Sequence, residues 1–223
     1  MAATVRRRVL TAAAMTGAAA ALVVTTAVVV KSAESGAAPG PPAAPAGPAV
    51  VAVESSCGLA GTPGPDAAGA TAANWENVNG WPLPTSTTDG PGRKTRGAWS
   101  CYTRTPAGAV LAGYVIGMRV SGVTDDWEAT VRQGTLPGPG RDELLTATPN
   151  LVSVTTPRGF HVVAYSADAA TIRYRLELNG QDYACLTDVA WSEGDWRLVL
   201  SDDGSTASGC VQGIPDEFTP WGP

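Results

Sequence analysis

The sequence predicts an α+β domain in which helices pack on one face of a curved, four-stranded antiparallel sheet. Two observations carry this. From Thr171 to Leu178, Ile172, Tyr174, Leu176 and Leu178 alternate with Thr171, Arg173, Arg175 and Glu177. That period of two gives a strand one apolar and one wet face. Earlier, between residues 105 and 147, three segments carry helix-start signals and apolar residues at helical spacing. Helices grouped before strands, rather than alternating with them, mean α+β and not a parallel α/β sheet.

Taken in order, the chain opens with a short basic tail, residues 1–8, containing Arg6, Arg7 and Arg8. Residues 9–30, VLTAAAMTGAAAALVVTTAVVV, carry no charge. At about 1.5 Å per residue, such a helix is long enough for a hydrocarbon core of ~30 Å. Three Arg before it and one Lys (Lys31) after it put residues 1–8 in the cytoplasm and the rest outside. The expectation is a single-pass protein of the cell membrane. The alternative is a cleaved signal peptide and a freely secreted domain, with Ser35-Gly36-Ala37 as the nearest cleavage site. Residues 31–56 are nearly all Ala, Pro, Gly, Ser and Val. Pro39, Pro41, Pro42, Pro45 and Pro48 favour extended polyproline-like conformations, so this reads as a semi-rigid linker.

The folded domain is expected over residues 57–204. Its first part, to residue 100, is broken by Pro63, Pro65, Pro82, Pro84 and Pro91 and shows no long periodicity. It reads as an irregular latch anchored by Trp75 and Trp81, with one short strand at Trp75–Val78. Thr105-Pro106 starts the first helix, a hydroxyl N-cap followed by Pro, with Val110, Leu111, Tyr114, Val115 and Met118 on the packed face. Gly108, Gly113 and Gly117 weaken it intrinsically and are read as points of close approach to the sheet. Thr124 or Asp125 is expected to cap a second helix, DDWEATVRQ, and a third spans Arg141–Ala147. The strands follow: Gly159–Tyr165, Thr171–Leu178, Tyr183–Trp191 and Trp196–Leu200. Asn179-Gly180 and Ser192–Asp195 make the turns between the last three. Residues 205–223 read as a C-terminal tail.

Composition narrows the function. With two Phe and three Met, the seven Trp must carry much of the core. Beyond Lys31 the chain holds 11 basic and 20 acidic residues. A net charge of −9 repels phosphate backbones, so the outer domain is not expected to bind nucleic acid directly.

Two groups of residues carry a family resemblance. The hairpin VAWSEGDWRLVL, residues 189–200, resembles the strand–turn–strand ending of the nuclear transport factor 2-like fold, a cone of helices held by a bent antiparallel sheet. Ser56-Cys57-Gly58-Leu59, Trp81-Pro82-Leu83-Pro84-Thr85-Ser86, Gly90-Pro91, the run from Cys101 to Ala109 and Pro137-Gly138-Pro139-Gly140-Arg141 follow in order. Together these resemble extracytoplasmic domain proteins of actinobacterial conjugative elements, over roughly residues 56–202. The resemblance implies a membrane-anchored, non-enzymatic scaffold or assembly component of a conjugative DNA-transfer apparatus. It would be similar to the inner-membrane assembly subunits of type IV secretion systems. The implied partners are the membrane, through the N-terminal helix, other secretion or conjugation subunits, and further copies of the chain. The C-terminal Cys pair departs from that pattern, and no functional residue carries over by motif.

Four cysteines outside a membrane imply disulfides, with three connectivities open. Cys57–Cys101 with Cys185–Cys210 is the preferred pairing, because each bond ties down a segment with little structure of its own. One His and no CxxC argue against a zinc site, so neither metal nor cofactor is expected. Candidate chemistry is sparse. His161 sits within a strand, Asp125-Asp126 suits a helix cap, and Asp202-Asp203 suits a turn. No nucleophile signature or phosphate loop is present in the sequence. The rival to the scaffold is a small-ligand-binding module or enzyme using the pocket of the cone, lined by Tyr114, His161 and Tyr174. A dry, enclosed pocket above about 300 Å³ with an inward carboxylate or His favours the rival. A filled cone favours the scaffold.

Overall fold

The computed structural model describes residues 55–147, 154–205, 209–213 and 217–223. All fall within one compact unit, Pro48–Pro223. The anchor expected over residues 9–30, and nearly all of the linker expected over 31–56, lie outside the described residues. Among the described residues, no helix is long and apolar enough to cross a membrane.

The architecture is α+β, with few helices and a mostly antiparallel sheet. A short helix α1 (Ala68–Thr71) leads into a hairpin of β1 (Asn74–Val78) and β2 (Trp81–Thr85). A second, two-residue pairing joins β3 (Arg93–Lys94) to β4 (Trp99–Ser100). Helices α2 (Pro106–Val120), α3 (Trp127–Gly134) and α4 (Pro139–Thr146) follow. The meander is β5 (Thr156–Tyr165), β6 (Ala169–Leu178), β7 (Gln181–Ser192) and β8 (Asp195–Leu198). These four are neighbours in that order and antiparallel throughout. Register shifts at Pro157/Gly159 and Val162/Ala164 mark irregularities in β5, of the kind that bend a strand.

Four features differ from the sequence reading. The latch contains a two-stranded hairpin, not a lone strand. Asn79-Gly80 turns it with positive φ at both positions, as Asn179-Gly180 does between β6 and β7. The cap of α3 is Asp126, whose carboxylate accepts from Ala129 N at 3.1 Å. Neither expected residue takes that role, and the Thr124 hydroxyl is engaged by Arg119 Nη2 at 3.0 Å. Helix α4 begins earlier than expected, with Pro139 in its first turn.

The fourth difference is the tail, which belongs to the sheet. Strand β8 covers only the Val189–Ser192 end of β7, leaving the Tyr183–Cys185 end as an open edge. Strand β9 (Cys210–Gln212) fills that edge, and Cys185–Cys210 is a disulfide. Strand β10 (Thr219–Pro220) pairs with β5 at the opposite side of the sheet. Directly after it, Trp221 is buried against Trp75, Tyr114, Phe160 and Tyr174. Its Nε1 donates to Ala70 O at 2.8 Å.

Helix α2 is the centre of the core. Thr105 caps it by accepting from Gly108 N at 3.1 Å. Every residue of α2 except Met118 is buried, because the sheet, α1, α3 and the β1–β2 hairpin surround it. A helix apolar on all sides is stable only when covered on all sides. Two buried carboxylates tie the latch to this core. Asp89 accepts from Thr62 N at 2.8 Å and from the hydroxyls of Thr62, Thr103 and Thr105. Asp195, at the start of β8, accepts from the backbone N–H of Cys101 (2.7 Å), Tyr102 (3.0 Å) and Trp196 (2.9 Å). Cys57–Cys101 closes the same region covalently, so both disulfides have the preferred pairing.

Candidate functional site

A cavity of about 380 Å³ lies between the C-terminal half of α2 and the inward face of β6 and β7. Period-two alternation aims Tyr174, Leu176 and Leu178 from β6, and Tyr183, Cys185 and Thr187 from β7, toward the helix. Helix α2 contributes Gly113, Tyr114, Gly117 and Met118, and its C-cap Ser121. Thr155, just before β5, and Cys210, in the disulfide on β9, complete the lining.

Two glycines on α2, one turn apart, set the shape. A Cβ at Gly113 would lie 2.6 Å from Tyr174 Oη, so helix and strand touch there. The contact is locked by Tyr174 Oη donating to Val110 O at 2.7 Å. At Gly117 an added Cβ meets nothing within 4 Å. The helix therefore leaves the sheet between these two positions, and the space opens.

The lining is uncharged. No Asp, Glu, His, Lys or Arg is among the described residues that form it. Burial pushes the phenols of Tyr114 and Tyr174 above their ordinary range, so both stay neutral at physiological pH. The two sulfurs are in a disulfide. Ser121 Oγ is committed to Gly117 O at 2.9 Å, and Tyr183 Oη to Gln181 Oε1 at 3.3 Å. Thr187 is 9% exposed, and among the described residues its hydroxyl has no hydrogen-bond partner. The cavity can therefore bind by apolar contact and one or two hydrogen bonds. Its lining holds no group that titrates near neutral pH.

Two of the three residues proposed for this lining from sequence, Tyr114 and Tyr174, do line it. His161 does not. It pairs in register with Arg173, next to the inward pair Phe160–Tyr174, and so lies on the outer face of the sheet. On that face Arg158 pairs with Glu177, and Arg175 with Asp182. Asp126 is a helix cap, and Asp203 accepts from Ser205 N and Oγ in a turn. Among the described residues, no three His, Cys, Asp or Glu side chains converge on a metal site. The sequence reading missed Met118, Leu176, Leu178, Tyr183 and Thr187 as cavity walls. Gly113 and Gly117, both expected to approach the sheet closely, divide here: Gly113 does and Gly117 does not, and nothing in the sequence separates them.

Residues 37–220 match the family described as a domain of unknown function, DUF8175, and the chain belongs to that family. The matched span runs through β9 and β10, in keeping with their place in the sheet. No curated protein and no solved structure gives a significant match.

Proposed function

We propose that this chain is a non-enzymatic, membrane-anchored component of a conjugative DNA-transfer apparatus. In this reading a nuclear transport factor 2-like cone sits outside the membrane, carried on the 9–30 anchor and the 31–56 linker. It works through protein contacts with other secretion or conjugation subunits and with further copies of itself. The observation that carries the reading is the pair of disulfides in the domain that follows the uncharged segment. Disulfides persist in oxidising compartments, which agrees with the charge order around residues 9–30. The helix α2 laid across an irregular antiparallel meander supports the cone. The ordered motifs from Ser56 to Arg141 support the link to conjugative elements. Clean deletion of the gene should lower transfer of the element, and expression of the full chain should restore it. Undiminished transfer in the deletion strain defeats the proposal.

The cavity of about 380 Å³ meets the size expected of a ligand pocket but not the inward carboxylate or His, so it supports a second reading limited to binding, an extracytoplasmic module that takes a small ligand. The two are compatible, since ligand binding can accompany a scaffold role.

A further inference from the structure

We propose that the cavity under α2 is a binding site for one uncharged, largely apolar small molecule whose single hydrogen-bonding group meets Thr187. This rests on the ligand-binding reading and names the class of ligand.

Three observations converge. The first is Gly117. Glycine inside a helix lowers its stability relative to alanine, so its presence calls for a steric reason. Such reasons exist nearby: a Cβ would come 2.0 Å from Thr103 O at Gly108 and 2.6 Å from Tyr174 Oη at Gly113. At Gly117 there is no neighbour within 4 Å, although the residue is buried. A side chain there would fit and would fill the space, so what the glycine provides is the space itself.

The second observation is the character of the walls. Charged side chains are plentiful on the outer face of the same sheet, where Arg158 pairs with Glu177 and Arg175 with Asp182. The inward face presents Leu176, Leu178, Tyr183 and the disulfide instead. A ligand with a net charge would lose its hydration here and gain no counter-charge. The third observation is Thr187, about nine-tenths buried in an apolar wall with no protein partner for its hydroxyl among the described residues. A hydroxyl that lines an apolar wall without a protein partner is free to pair with a hydrogen-bonding group on a ligand. A volume of about 380 Å³ holds roughly a dozen water-sized groups at ~30 Å³ each, the size of a two- or three-ring molecule or a medium-length chain.

The test uses the full chain in lipid nanodiscs and two fluorescent probes that share one frame. N-phenyl-1-naphthylamine is uncharged, and 1-anilinonaphthalene-8-sulfonate carries a sulfonate. Binding is read as saturable energy transfer from tryptophan. The uncharged probe should bind the wild type at one per chain, and the sulfonate at least tenfold more weakly. Gly117→Phe and Gly117→Leu, which fill the cavity, should each weaken the uncharged probe at least tenfold. Thr187→Val should weaken it about three- to tenfold. Closed disulfides by mass and an unchanged or raised melting temperature show that the filled variants fold. Thr187→Val keeps the test independent of them. If the wild type binds the sulfonate as tightly as the uncharged probe, and Gly117→Leu abolishes both, the uncharged class is wrong and the ligand-binding reading stands. If the wild type binds neither probe, or folded Gly117→Leu binds both as the wild type does, the inference and the reading fail together.

Discussion

Trp221 provides the sharpest test of how this domain is held together, because it is the third residue from the end of the sequence. Its side chain is 5% exposed. The ring stands 4.8 Å from Trp75, 5.3 Å from Tyr114, 5.6 Å from Phe160 and 6.0 Å from Tyr174, centroid to centroid. Its Nε1 satisfies Ala70 O, the carbonyl of a short helix. Truncation of a buried Trp to Ala costs about 3–5 kcal/mol, and each aromatic pair alone is worth about 0.5–1.5. The pair energies are already part of that total, so Trp221→Ala should cost roughly 4 kcal/mol. At about 2–4 °C per kcal/mol for a domain of this size, the melting temperature should fall by about 8–16 °C. Trp221→Phe keeps much of the packing but removes the Nε1 bond to Ala70 O, which still accepts from Ala73 N at 3.2 Å, and losing that bond should cost about 0.5–1.5 kcal/mol. Val211→Ala, at a 61% exposed tail position, should stay within about 0.5 kcal/mol of wild type. Urea titration of the full chain, followed by circular dichroism with both disulfides closed, measures all three. A loss below about 1 kcal/mol for Trp221→Ala would refute the argument that the tail completes the core.

Three further outcomes follow from the same geometry. Burial outweighs the three N–H bonds to Asp195 and lifts its pKa above the ordinary 3.8. Folding therefore favours the protonated form, and the contribution is full below 3.8 and lost as pH rises through the folded value. The stability of wild type minus that of Asp195→Asn should fall as pH rises above 3.8, in denaturant titrations at a series of pH values; a rise would mean that the N–H bonds win. Replacing Cys185 and Cys210 together by Ser opens a link across 25 residues and should cost about 3 kcal/mol, read from the urea midpoint. His161→Ala, on the outer face, should change stability by less than about 0.5 kcal/mol and leave probe binding intact in the nanodisc assay.

How much was legible in the sequence depended on how local each determinant was. The β6–β7–β8 meander reads directly, because alternation and turn residues act over neighbouring positions. The β1–β2 hairpin uses the same Asn-Gly signal, yet Pro82 and Pro84 in β2 obscured it. Proline cannot donate to a ladder, but a strand paired on one side only has room for it. The tail was read as an appendage because its partners at residues 70, 75, 114, 160 and 174 are scattered along the chain. A single Trp in a short polar segment carries no period. The cavity was legible in half. Alternation predicts which side chains face α2, but not whether the space between them is filled. That depends on the helix's angle to the sheet, and Gly113 and Gly117 look identical in sequence while one touches the sheet and the other does not.

Tail and cavity are connected through two residues. Tyr114 and Tyr174 line the cavity on one side and pack against Trp221 on the other. At the opposite side the wall is the Cys185–Cys210 disulfide, which holds β9 to β7. Trp221 and Cys210 therefore brace the cavity from two directions, once by aromatic packing and once by a covalent bond. An open volume of this size would otherwise tend to collapse, since its walls gain dispersion contacts by closing. Bracing on both sides keeps the walls apart before any ligand arrives, and a site already in its bound shape avoids the ordering cost of binding. The C-terminal strands thus have a reason to be where they are beyond closing a sheet edge: they hold open the space that Gly117 leaves.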